Sequence, residues 1–121
     1  MSEGQIVHIE FAASDPDAAG KFYSDLFGWK TEAYPGAEYT TFEPVDPPGG
    51  GFAKIDGQLY QVGSVLAYIF TSDIEGMLKK IEIAGGKVAL KRTEIPGMGW
   101  FALFTDPTGN TVGLFTDQPA M

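Results

Sequence analysis

The chain has no cysteine and a single histidine among its 121 residues. The first absence removes disulfides, thiolate nucleophiles and cysteine-ligated metals together. The second excludes any site built on several imidazoles. Basic residues are also scarce, 8 Lys and Arg against 16 Asp and Glu, which leaves a net charge of −8. A surface of that sign repels phosphate backbones and anionic lipid, so neither nucleic acid nor a membrane is expected as a partner, and the acidity serves solubility. No apolar run approaches the ~20 residues of a membrane span. The opening MSEGQIVHIEF has neither the basic region nor the long apolar core of a signal peptide. The expected location is the cytoplasm.

Turn formers, in contrast, are plentiful, with 16 Gly and 8 Pro, and they repeat. Thr105–Phe115 reads TDPTGNTVGLF and Val45–Ile55 reads VDPPGGGFAKI, with Asp46, Pro47 and Gly49 in register with Asp106, Pro107 and Gly109 (106 − 46 = 60). Self-similarity of this length marks an internal duplication. Asp-Pro followed by Gly is turn chemistry: Asp caps the turn, Pro fixes φ and Gly supplies a positive φ. Each copy then enters a short apolar run, the pattern of a turn leading into a strand.

The rest of the chain duplicates in the same order. Gln5–Ala12 alternates Val7, Ile9 and Phe11 against His8 and Glu10, a half-buried strand. Asp15-Pro16 starts a helix whose apolar stripe is Ala19, Phe22, Tyr23, Leu26 and Phe27, and Gly28 ends it. Strands are predicted at Lys30–Ala33, Tyr39–Glu43 and Phe52–Ile55. In the second half Val65–Thr71 is the opening strand, Ser72-Asp73 starts a helix carrying Ile74, Met77, Leu78 and Ile81, and Gly85-Gly86 closes it. Helix start and stop share one offset (73 − 15 = 86 − 28 = 58), and Pro35-Gly36 maps on Pro96-Gly97 (96 − 35 = 61), which sets Tyr39 opposite Trp100. The predicted architecture is α+β: two tandem βαβββ modules, residues 5–60 and 63–119, forming one domain over residues 1–121 with one curved mixed β-sheet and helices on its outer face.

Paired βαβββ modules with the strand–DP–helix–FY opening (His8 to Tyr23) and the closing DPxGN turn (Asp106 to Asn110) resemble the vicinal oxygen chelate superfamily of glyoxalases, bleomycin-resistance proteins and extradiol dioxygenases. The resemblance spans nearly the whole chain and speaks for the fold more than for a substrate. It implies that metal-dependent members take a His or Glu from each of four related strand positions. Here those positions read His8, Ala53, Leu66 and Gly113. Three have no lone pair to give, and a divalent ion needs several protein ligands to replace its hydration shell. No metal or other cofactor is therefore expected, His8 being the only ligand-type residue retained.

Strand alternation sets His8 and Glu10 on one face, with Tyr39 and Glu43 sharing a face of the third strand and Trp100 and Phe104 a face of its counterpart. If the Tyr39 and Trp100 faces line the concave side, His8, Tyr39, Tyr68, Trp100 and Phe104 are the expected ligand contacts. His8 with Glu10 or Glu43 is then the candidate acid–base pair, the carboxylate raising the imidazole pKa. The favoured expectation is a metal-free protein that binds a small apolar or aromatic molecule and, on the pattern of the resemblance, forms a homodimer. An alternative is a glyoxalase- or dioxygenase-like enzyme, a lyase or oxidoreductase, using His8 and a nearby carboxylate with or without a divalent metal. An interaction module with a filled concave face is the third. Gly49-Gly50-Gly51 is not a phosphate loop, because it lacks the following Lys-Ser/Thr and opens no helix. Ser14 and Ser72 stand at helix starts, where capping explains them.

Overall fold

A computed structural model describes residues 1–119. Its elements run in the duplicated order predicted: β1 Ile6–Ala13, α1 Pro16–Phe27, β2 Lys30–Tyr34, β3 Tyr39–Glu43, β4 Gly49–Lys54, then β5 Val65–Phe70, α2 Ile74–Ile83, β6 Lys87–Ile95, β7 Gly99–Thr105 and β8 Thr111–Thr116. The class is α+β. The chain forms two compact units: one is His8–Leu66, and the other joins Met1–Val7 to the residues from Ala67 onward. The first residues belong with the second half because Gly4 N–H donates to the Phe70 carbonyl at 2.9 Å and Phe70 N–H to the Gln5 carbonyl at 2.8 Å.

In the His8–Leu66 unit the pairing order is β2-β3-β4-β1, with β4 parallel to β1 and the other pairs antiparallel. Helix α1 begins and ends where the sequence places it. The Asp15 carboxylate accepts from Ala18 N–H, Pro16 occupies the first turn, and Gly28 closes the helix in the left-handed conformation at φ 73°. Beneath it lies an aromatic core. Phe11 and Phe52 stack on Tyr23, with centroids at 6.1 and 5.4 Å, and Trp29 lies 4.6 Å from Phe42. Phe52 and Phe42 are the most deeply buried of these rings. Thr40 joins the same side, donating to the Asp17 carboxylate at 2.6 Å. The face of β1, β3 and β4 that meets α1 is therefore that of Phe11, Thr40, Phe42 and Phe52, which leaves His8, Glu10, Tyr39 and Gly51 on the other.

The triple glycine has a packing explanation. A Cβ on Gly50 would run into the Ile9 carbonyl of the neighbouring strand, and one on Gly49 would sit 2.8 Å from the Phe42 carbonyl. Backbone approaches this close exclude any side chain. The predicted strand at Phe52–Ile55 accordingly starts three residues earlier, at Gly49.

The other unit pairs its strands β5-β8-β7-β6, again with one parallel pair, β5 with β8. Its core sits under α2: Ile74, Leu78, Ala102 and Leu114, with Ile69, Met77, Ile81, Trp100 and Phe104 packed against them. The Asp106 carboxylate closes the DPTGN turn, accepting from the backbone N–H of Asn110 and from the hydroxyl and N–H of Thr108. Those bonds, the Asn110 N–H foremost, pull its pKa down to about 2. The turn that marks the repeat is thus an Asp-capped loop, as its sequence predicts.

Candidate functional site

The residues singled out on β1 and β3 meet within the His8–Leu66 unit. β1 alternation puts His8 and Glu10 on one face, and β3, two strands away across β4, brings Tyr39 over the glycine between them. The Tyr39 hydroxyl lies 2.7 Å from His8 Nε2 and donates to Glu10 Oε2 at 2.8 Å. A second tyrosine completes the set: Tyr60, from the loop after β4, donates its hydroxyl to Glu10 Oε1 at 2.9 Å. His8 Nε2 and Glu10 Oε2 are themselves 3.8 Å apart, an ion-pair distance rather than a hydrogen bond, and the Tyr39 hydroxyl bridges the two.

Burial sets the electrostatics. Glu10 is 7% exposed, a depth at which a carboxylate must be hydrogen-bonded to persist. Both of its oxygens hold a tyrosine hydroxyl. The His8 side chain keeps 33% of its surface, making it the member of this pair that an arriving molecule can touch. Burial lowers the His8 pKa below its ordinary value and outweighs the opposing pull of Glu10. The expectation that a nearby carboxylate would raise it is corrected accordingly. The Tyr39 hydroxyl is pushed far up, by burial first and then by the charge of Glu10, so it stays protonated across the physiological range.

Glu43 takes no part. It stands exposed at the end of β3, and among the described residues no hydrogen bond or ion pair joins it to His8. Trp100 and Phe104 also lie elsewhere: they pack against the core beneath α2, with the Arg92 guanidinium 4.6 Å from the Trp100 ring. The reason is a register difference of one residue. Thr41 pairs with Gly51 and Leu103 with Gly113, so sheet register relates the halves by 62 here (103 − 41 = 113 − 51) rather than 61. The true counterpart of Tyr39 is Phe101 (101 − 39 = 62). A one-residue slip exchanges the two faces of a strand. Tyr68 is buried at 4%, 6.3 Å from the Phe101 ring.

The same register corrects the pairing of the metal positions. Glu10 is opposite Gly51 and Tyr68 opposite Gly113, so the mate of Gly113 is Gly51 rather than Ala53, which is opposite Ala12. At both glycines a tyrosine fills the space. The Tyr39 ring lies where a Cβ on Gly51 would stand, and the Tyr68 ring does the same at Gly113. The donors do not fit a divalent ion: Leu66, Gly51 and Gly113 offer no lone pair, and the Glu10 oxygens are engaged by hydroxyls. Among the described residues no three His, Asp or Glu side chains converge on a point.

Tyr60 is the residue that sequence reasoning missed. It lies outside any strand, so periodicity does not point to it. Its placement comes from Asp56, whose carboxylate accepts from the backbone N–H of Gln58 and Tyr60 and folds the loop back. An Asp followed by Gly57 was the only available signal of that turn.

A family model for the Glyoxalase/Bleomycin resistance protein/Dioxygenase superfamily matches residues 5–114. A glyoxylase-like domain-containing protein of Didymella fabae is 34% identical, over 93% of this chain and 94% of that protein. The chain belongs to this superfamily. It is also similar to the putative glyoxylase CFP32 of Mycobacterium tuberculosis, 27% identical over 88% of the chain. The anthracycline biosynthesis protein DnrV of Streptomyces peucetius is 29% identical over 90%. The chain spans 43% and 46% of the length of those two relatives. Among solved structures, a superfamily member from Vibrio splendidus superposes with a TM-score of 0.68 at 17% identity, covering 94% of this chain and 99% of that one. That likeness supports the fold. No helix among the described residues is long and apolar enough to cross a membrane.

Proposed function

We propose that the chain binds a small, largely aromatic molecule on the face of β1, β3 and β4 that carries His8, Glu10, Tyr39 and Tyr60, and that it does so without a metal. The observation that carries this reading is the pairing of a one-third exposed imidazole with a buried carboxylate clad in tyrosines. Aromatic walls with a few fixed polar groups are the usual make-up of a small-molecule site. The name of the streptomycete relative, an anthracycline biosynthesis protein, adds support for a polycyclic aromatic ligand. Calorimetric titration of chelator-treated protein with planar aromatic compounds tests it. Binding that is lost in His8→Ala is expected. A need for added Zn, Ni, Mn or Fe would contradict it.

A second reading has its own observation. The continuous His8–Tyr39–Glu10 connection is an acid–base arrangement, and proton transfer by a positioned imidazole is worth about 10²–10⁴ in rate. Solvent deuterium appearing in an enolisable carbonyl compound, and ceasing in His8→Gln, is the result expected of a catalyst. Binding with no exchange favours the first reading.

A further inference from the structure

We propose that Asp56, an exposed residue of the loop after β4, is a positioning residue for ligand binding on the His8 face: it holds Tyr60 against Glu10 before a ligand arrives, and so sets the affinity. It rests on the binding reading above and deepens it. The loop 55–64 has both feet on β1. Ile55 N–H donates to the Ala13 carbonyl at 3.1 Å, and the Ser64 carbonyl accepts from Ala12 N–H at 3.2 Å. Ala12 shares the face of Glu10 by alternation, about 7 Å along the strand. A loop pinned there can reach back over Glu10, but its feet do not decide which residue it sends.

Asp56 makes that choice. Its Oδ1 accepts from Gln58 N–H at 2.8 Å and from Tyr60 N–H at 2.9 Å. The Tyr60 carbonyl in turn accepts from the N–H of Asp56 at 3.0 Å and of Gly57 at 3.2 Å, and Gly57 makes the reversal at φ 77°. Both backbone groups of Tyr60 are thereby tied to the Asp-Gly turn, and its hydroxyl reaches Glu10 Oε1 at 2.9 Å. The amides around Asp56, that of Tyr60 foremost, hold its carboxyl below the usual carboxylate range, which keeps a strong ionised acceptor in the turn. Ordering that is complete in the free protein does not weigh on the binding step. A Tyr60 released from Asp56 would have to be immobilised as the ligand binds.

The test is calorimetric titration of chelator-treated protein with naphthol at neutral pH, in wild type, Asp56→Ala, Asp56→Asn, Tyr60→Ala and the Asp56→Ala/Tyr60→Ala double variant. Asp56→Ala is expected to bind about three- to tenfold more weakly, the cost of ordering one freed aromatic side chain on binding. Asp56→Asn, whose amide oxygen can accept the same two N–H groups, should recover most of that loss. Gln58→Ala, which keeps the backbone donor, should bind as wild type does. The double variant should bind no more weakly than Tyr60→Ala alone, because Asp56 then has nothing to position. Wild-type affinity in Asp56→Ala, or losses that add in the double variant, overturns the proposal and leaves the binding reading standing. A wild type that binds no naphthol overturns the binding reading and the proposal with it. A ligand-free measurement judges the positioning role by itself: the amide shifts of Glu10 and Gly51 in Asp56→Ala should move towards those of Tyr60→Ala, and shifts that stay in place overturn the proposal whatever binds.

Discussion

The ring of Tyr39 lies across Gly51, in the space that a side chain at that position would occupy. Tyr68 stands in the same relation to Gly113, at the matching place in the other half. Glycine at 51 is thus what allows the Tyr39 hydroxyl to reach both His8 and Glu10. Gly51→Ala should drive the ring out, cost about 1–3 kcal/mol by overpacking, and raise the exposure of Glu10. Urea denaturation measures the first effect. Gly36→Ala is the control: a Cβ there meets nothing within 4 Å, and its change should stay within about 0.5 kcal/mol.

Glu10 is the acceptor on which two hydroxyls depend. Glu10→Ala removes that acceptor from both and opens a cavity, so a loss of about 2 kcal/mol or more is expected from the lost hydrogen bonds and packing together. Glu10→Gln, which retains one carbonyl oxygen, should lose distinctly less. Equal stability of all three proteins in equilibrium denaturation would mean that Glu10 is not held as described.

Trp100 supports the core beneath α2. Trp100→Ala should cost about 3 kcal/mol, the lower end for a large aromatic residue, and leave the affinity for an aromatic ligand unchanged in protein that remains folded. Loss of affinity at full stability would return Trp100 to the binding surface.

The pH dependence follows from the lowered His8 pKa. The folded chain holds this imidazole neutral more strongly than the unfolded chain, whose group titrates near its ordinary value of 6.5. Below that pH the unfolded state takes up the proton first. The His8 contribution is therefore complete above pH 6.5 and is lost as pH falls through the lower folded value. The measurement that isolates this contribution is the stability difference between wild type and His8→Gln. That difference should shift against wild type between neutral pH and mildly acidic pH.

Local chemistry was the legible part of this sequence. Asp15-Pro16 and Gly28 state the limits of α1 through capping and a left-handed stop, and β1 alternation places His8 beside Glu10 without any tertiary information. Tyr39 followed from its own strand in the same way. The face of β7 did not, because it was inferred from a repeat offset of 61 where the strands pair at 62. An offset counted along the chain absorbs loop insertions, and hydrogen-bond register does not. The offset of 61 placed Trp100 and Phe104 on the wrong side, and the offset of 60, two residues short of the register, matched Gly113 to Ala53 instead of Gly51. Tyr60 was invisible for a different reason, since a loop has no period and its direction depends on how Asp56 folds the turn.

The most direct test of the account is a map of amide shifts during titration of chelator-treated, ¹⁵N-labelled protein with naphthol. Saturable changes centred on His8, Glu10, Tyr39 and Gly51, absent in His8→Ala, are the predicted result. Changes centred on Trp100 and α2, or none until a divalent metal is added, would contradict it.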